Sequence, residues 1–330
     1  MIVVQRMSKS RIRHLTRPAL GFLIASAAFE LLLRHMVWTA HDGPISVVYQ
    51  RLREGWGVSR WKPDGTRVAP PLAGPRVLVT GDSFTAAHEV NDDEVFTAVL
   101  QQRLHLPVLN TGYSSRSPAD YVALAPELLG RFHPVWTVIQ LETWDLRDDS
   151  FNETKTHFVI RGAALVPVTP PEYRLGRLSR ALASIRGRSS LVNYLVARWG
   201  MFRSSARMPP LFRAANAARP PSEEHRDFPV ENEMATMVAA YRGRVTFLLI
   251  PSFDDSSDET EERFLAYCRG AGVSFVDLRE SFPAFRRAGR APFGFFNSSF
   301  GGGHMNAAGH AAAALLLSRE LEEVRRRGLF

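Results

Sequence analysis

One cysteine, Cys268, stands in 330 residues. An intramolecular disulfide framework and a cysteine-based metal site are thereby excluded, and the redox compartment leaves no mark on the sequence. Histidine, aspartate and glutamate form no set with the spacing of metal ligands, so neither a metal nor another cofactor is expected. No internal repeat or low-complexity tract occurs. Positive charge is scarce where a nucleic-acid binder would need it. The chain carries a formal +8, but Arg6, Lys9, Arg11, Arg13 and Arg17 supply five of those charges, leaving +3 for everything after residue 17. A folded nucleic-acid-binding surface needs a clustered basic footprint, so no nucleic-acid partner is expected. Apolar side chains, by contrast, are plentiful: 45% hydrophobic against 22% charged residues can bury a large core, which excludes disorder for the chain as a whole.

The basic leader runs into an apolar stretch, Pro18 to Phe29, interrupted by Glu30, resumed by Leu31 to Leu33 and closed by Arg34. A membrane-spanning helix needs about 20 mostly apolar residues, and a glutamate inside one is costly unless paired. Glu30 and Arg34, spaced i and i+4, suit such a pair, with Arg34 snorkelling toward an interface. Basic residues on the N-terminal side retain that end in the cytoplasm and send the rest across. Residues 1–40 are therefore expected to be a basic leader plus membrane anchor or signal segment holding an extracytoplasmic, periplasmic-side domain. Two other readings stay open. One is a cleaved signal peptide with Ala25-Ser26-Ala27 as its small-residue site, giving a secreted form; the other is an ordinary buried helix.

Residues 41–75 are rich in turn formers, including Lys62-Pro63-Asp64-Gly65 and Pro70-Pro71, and read as a linker with little regular structure. A domain spanning 76–330 follows. Short apolar strands are expected at Arg76–Thr80, Pro107–Asn110, Val135–Leu141, Arg244–Ile250 and Val273–Asp277. Helices are expected near Asp93–Leu104, Pro118–Leu129, Asp258–Arg269 and Asn306–Arg325. Continuous apolar strands alternating with helices indicate an α/β domain with a parallel sheet covered on both faces, a three-layer sandwich. Between the third and fourth strands, about residues 150–226, lies an arginine-rich, proline-punctuated insertion. Its spaced apolar residues from Tyr173 to Trp199 suit two short amphipathic helices, packed on the sheet or serving as a lid or anionic-surface contact.

Ligands of open parallel sheets bind beyond the carboxyl ends of the strands. There the sequence puts Gly81-Asp82-Ser83-Phe84-Thr85, Asn110-Thr111-Gly112-Tyr113 and Glu142-Thr143-Trp144-Asp145, and before the last helix Gly301-Gly302-Gly303-His304-Met305-Asn306. A serine nucleophile needs a base in hydrogen-bond reach, and acyl transfer needs donors aimed at the developing oxyanion. Ser83 offers a hydroxyl and an amide at a helix start, and Gly112 has an amide that no side chain shields. Blander readings coexist: Ser83 as a helix cap, His304 in a flexible glycine loop with His310 on the exposed side of the helix, and His88-Glu89 as solvated surface.

In order, Asp64-Gly65-Thr66-Arg67, the GDSFT turn at 81–85, Asn110-Thr111-Gly112, and His304 ahead of Asn306 and Gly309-His310 resemble the GDSL/SGNH serine hydrolases, above all their membrane-anchored envelope members. The resemblance implies a flavodoxin-like sheet of order 2-1-3-4-5 and acyl-ester hydrolysis or, in some members, acyl transfer. It also implies Ser83 as nucleophile, the Ser83 and Gly112 amides as oxyanion donors and His304 as general base. Two positions depart. Where the family has Gly-x-Asn-Asp after the third strand, with the asparagine as a further oxyanion donor, this chain has Glu142-Thr143-Trp144-Asp145. Trp144 and Asp145 are left as candidates for contacting substrate. The aspartate that the family puts three residues before its histidine is Gly301 here. The expected activity is that of an esterase or deacylase on an acylated envelope glycan or lipid. The neighbouring expectations are an O-acyltransferase and a catalytically weakened glycan- or partner-binding protein.

Overall fold

The computed structural model describes residues 9–36, 39–42, 45–50, 57–143, 145–146, 150–153, 155–162, 164–170, 189, 191–192, 195, 230–253, 259–295, 298 and 300–330. Trp144 and most of the stretch from Tyr173 to Trp199, where two helices are expected, lie outside these residues. The chain divides into two compact units, residues 1–38 with 174–218, and residues 39–173 with 219–330.

In the first unit, helix α1 (Lys9–Met36) carries much of the basic leader and the apolar stretch in one piece, with Pro18 inside it. Leu20, Phe22, Leu23, Ile24, Leu31 and Leu32 are exposed along it. The Glu30 carboxylate accepts from Ser189 Oγ at 2.9 Å and from the Leu191 amide at 2.7 Å, while the side chain of Arg34 lies outside the described residues. Among the described residues no helix is long and apolar enough to cross a membrane.

The second unit opens with strands β1 (Thr39–Asp42), β2 (Ile45–Gln50) and β3 (Gly57–Trp61), an antiparallel meander. This corrects the expected linker of little regular structure at 41–75 as far as Trp61; residues 62–75 carry no helix or strand. The apolar and β-branched residues Ile45, Val47, Val48 and Tyr49 form a strand despite the turn formers that follow. Then come β4 (Val77–Thr80), the short helix α2 (Ser83–Ala86), α3 (Phe96–Leu104), β5 (Val108–Asn110), α4 (Pro118–Phe132) and β6 (Trp136–Glu142). A hairpin of β7 (His157–Arg161) and β8 (Ala164–Val168) follows, then α5 (Val230–Ala240), β9 (Val245–Ile250), α6 (Glu259–Ala271), β10 (Ser274–Asp277), α7 (Phe282–Arg287) and α8 (Ala307–Arg326).

Five strands pair in parallel in the order β5-β4-β6-β9-β10, which is the 2-1-3-4-5 order of a flavodoxin-like sheet. Because side chains alternate along a strand, each strand supplies both faces. Val77, Val79, Val138, Leu248 and Ile250 pack with α3 and α8 on one face, and Leu78, Ile139, Leu141, Phe247 and Leu249 pack with α4, α5 and α6 on the other. All ten are at most 1% exposed, so both faces are covered and neither is left as a docking surface.

The insertion after β6 begins as a hairpin rather than a helix, correcting that part of the expected helical insertion. Phe158, Val159 and Ile160 favour the extended chain, and Gly162, at φ 64°, supplies the left-handed residue of its turn. Phe158 and Leu165 bury against Ala119 at the start of α4, and Ser117 ties the hairpin down by donating from Oγ to Thr156 O at 2.8 Å.

Candidate active site

The carboxyl ends of β4 and β6 adjoin where the strand order reverses, and the turn after β4 carries Ser83. Its amides are dressed by side chains: Asp82 Oδ1 caps α2 by accepting from the Phe84 amide at 2.9 Å, and Gln140 Oε1 accepts from the Asp82 amide at 3.2 Å and from Thr85 Oγ1 at 2.9 Å. A Cβ on Gly81 would collide with Thr85 and Gln140, so only glycine permits this close seating on β6. From β5, Asn110 Nδ2 donates to Thr85 O at 2.8 Å.

His304 arrives from the loop ahead of α8. Its backbone carbonyl accepts from the Gly294 amide at 2.9 Å, and Met305 bridges to Phe293. Asn306 then anchors the helix start, accepting from the Ala308 and Gly309 amides and donating to Ala291 O and Gly294 O. The result is His304 Nε2 2.9 Å from Ser83 Oγ, with the imidazole 5.1 Å from the Phe84 ring. Two residues 221 apart in sequence thus meet in the geometry a general base and its nucleophile require.

The other expected site residues fare differently. The Gly112 amide, expected to face an oxyanion, donates to Asn110 Oδ1 at 2.9 Å. The need for glycine there is steric: a Cβ would lie 2.5 Å from the Ala86 amide nitrogen and 2.6 Å from the Thr85 backbone. Asp145, a candidate substrate contact, is buried, and its Oδ2 accepts from the Glu142 amide at 2.8 Å. His310 is buried instead of lying on an exposed helix face. It stacks on Phe96 at 5.9 Å, and burial lowers its pKa to about 3, with Arg67 and His304 adding to the effect.

Sequence reasoning missed Arg67 and Glu89. Arg67, 3% exposed, donates from one terminal nitrogen to Ala86 O and Ala87 O and from the other to Val90 O, each at 2.8 Å, while its Nε donates to Asp92 Oδ1 at 2.8 Å. Burial pulls its pKa below the usual value, and Asp92 opposes that most strongly. The loop it threads also carries Glu89, expected as solvated surface but 5% exposed, with Oε1 3.8 Å from His304 Nδ1. The only sequence signal for Arg67 was its place in Asp64-Gly65-Thr66-Arg67. Glu89 had none.

Beside the pair lies a cleft of about 710 Å³ lined by Phe84, Phe253, Phe293, Phe300, Arg286 and the glycines 301–303, among others. On the side of Gly112, Tyr113 is 67% exposed with the Arg116 guanidinium 5.4 Å from its ring centre.

No protein-family model matches the chain, and no curated protein does. Solved structures do. A catalytic mutant of an acetylxylan esterase from Geobacillus stearothermophilus is 14% identical, with 76% of this chain and 95% of that chain covered at a TM-score of 0.42. A psychrotrophic esterase from a Pseudoalteromonas species is 10% identical, with coverages of 77% and 100% and a TM-score of 0.41. A structure described as a lipolytic protein of the G-D-S-L family, from Desulfitobacterium hafniense, is 14% identical, with coverages of 74% and 99% and a TM-score of 0.38. Two of these proteins are described as esterases and one as a lipolytic protein of the G-D-S-L family, and it is to such proteins that this chain is similar.

Proposed function

We propose that the chain is an SGNH-type carboxylic ester hydrolase or deacylase acting through a Ser83 acyl-enzyme. The 2.9 Å approach of His304 Nε2 to Ser83 Oγ is the observation behind this reading. Ser83 Oγ attacks the ester carbonyl as Nε2 takes its proton. The tetrahedral intermediate then collapses, its C–O bond breaks, and the imidazolium returns that proton to the leaving alkoxide. Water, deprotonated by the same nitrogen, attacks the acyl-enzyme; the bond to Oγ breaks, the imidazolium returns the proton to Ser83 Oγ, and the acid leaves. The substrate in this reading is an acylated envelope glycan or lipid. The phenylalanine-lined cleft suits an acyl group, and the exposed Tyr113 ring suits a stacked sugar. An O-acyltransferase would differ only in the hydroxyl that accepts the acyl group.

The proposed location is at the membrane through the N-terminal segment, with the sheet-bearing unit outside the cytoplasm; the basic leader and the exposed apolar residues of α1 support it. A binding protein with weakened catalysis is the second reading, favoured by the engagement of the Gly112 amide with Asn110.

A fluorophosphonate probe separates the two. The full chain is expected to be labelled and to turn over short acyl esters, and Ser83→Ala to do neither. Absence of Ser83-dependent labelling together with absence of turnover would leave only the binding reading.

A further inference from the structure

We infer that Glu89 is the positioning residue for His304, taking the part that an aspartate three residues before the histidine plays in the family this chain resembles. The inference rests on the reading of Ser83 and His304 as an acyl-transfer pair, and three observations carry it.

First, the expected position is closed to a carboxylate. Gly301 has φ 73°, where an L side chain is strained, and a Cβ there would lie 2.8 Å from Cδ1 of Phe253. The Phe253 ring stands where such a side chain would begin, packed edge-on against Phe282 at 4.8 Å.

Second, Glu89 reaches the correct nitrogen. Its Oε1 faces Nδ1, while Nε2 of the same ring faces Ser83. At 3.8 Å the contact is longer than a hydrogen bond and within ion-pair range. Apart from substrate such contacts are often long, and they tighten as the imidazole gains charge. Arg67 makes its ion pair with Asp92 and its terminal nitrogens donate to main-chain carbonyls, while the Glu89 charge acts on it through space.

Third, the residues around Glu89 are clamped through side chain and main chain. Ser59 Oγ bonds His88 Nδ1 at 2.7 Å, Trp61 packs on the His88 ring at 5.6 Å, and the Val58 amide donates to Asn91 Oδ1 at 3.1 Å. Gly57 approaches so closely that a Cβ would lie 2.5 to 2.6 Å from main-chain atoms of His88 and Val90. Arg67 holds Val90 O from the other side. A carboxylate on so constrained a loop is aimed before the imidazolium forms, which is what an orienting group must provide.

The test uses the full chain as wild type, Glu89→Gln, Glu89→Asp, His304→Ala, and Gly301→Asp combined with Glu89→Gln. Glu89→Gln is expected to lower kcat and the rate of Ser83 labelling by about a hundredfold to ten-thousandfold with KM nearly unchanged. Glu89→Asp should recover part of that loss. The acid limb of the pH–kcat/KM profile should move to lower pH in Glu89→Gln; among the described residues Arg67 and His310 also act on this pair. Gly301→Asp should give no rescue. Wild-type rate and pH profile in a folded Glu89→Gln, or rescue by Gly301→Asp, would overturn the inference.

A second measurement needs neither turnover nor a stable Glu89 variant. Proton NMR of the wild type should show a downfield imidazole N–H resonance that His304→Ala removes. Its absence overturns the pairing. Its presence in a chain that labels at no rate supports the pairing while the esterase reading fails.

Discussion

At the scale of single residues, the site is built from close approaches that only particular side chains allow. Gly112→Ala forces a methyl into the Thr85–Ala86 backbone and is expected to cost about 1–3 kcal/mol by overpacking, displacing Ser83 as it does so. A lowered Tm together with slowed fluorophosphonate labelling checks this. His310 gives a pH dependence of known sign. Its native pKa is held near 3, against about 6.5 for an ordinary histidine, so above pH 6.5 neither folded nor unfolded chains bind the proton. Below that value the unfolded chain takes it up and the native one does not, and stability falls as pH drops toward 3. In His310→Leu the decline of Tm between pH 6.5 and 4 should be shallower, as thermal melts across that range would show.

The place of Ser83 in a turn after the first core strand was legible in the sequence, and its pairing with His304 was an expectation of the family resemblance that the 2.9 Å approach fits. The reason for Gly112 was not legible, since a freed amide and a close backbone contact leave the same letter. Glu89 was illegible for another cause: its partner comes from a loop whose distance in space no local spacing encodes.

Among the elements, the loop from Ala86 to Asp92 depends on a segment that turn-forming residues disguise. Arg67 satisfies three carbonyls and one carboxylate from a buried position, and nothing shorter than a guanidinium fork can do so. Arg67→Met strips Ala86 O, Ala87 O and Val90 O of its donors and leaves Asp92 to Arg60 alone, and is expected to destabilise by about 3–5 kcal/mol. Urea denaturation measures that loss, and faster amide exchange in residues 86–92 should accompany it. The five core strands were readable because each is a continuous apolar run between turn signals, and their observed limits fall within a residue or two of expectation. The meander at 39–61 and the hairpin at 157–168 were not. In both, strand-forming residues lie among prolines, glycines and charges, and cross-strand pairing outweighs the local turn preference.

For the molecule as a whole, location is the question with a direct measurement. Cell fractionation should recover the chain with membranes, and protease added outside the cytoplasmic membrane should digest the sheet-bearing unit. Recovery in the cytoplasmic supernatant would exclude the proposed location. The alternation of strand and helix made the layered architecture legible at this scale. The strand order followed from the family resemblance, because apolar runs do not state their neighbours.

The sequence separation within the site also has a temporal side. Ser83 and Glu89 lie in the first third of the chain, and His304 lies just ahead of the helix that ends it. During synthesis Ser83 and Glu89 emerge long before His304, which reaches Ser83 only once α8 docks against α3. On the proposed reading a nascent chain is therefore silent toward esters until α8 closes the domain.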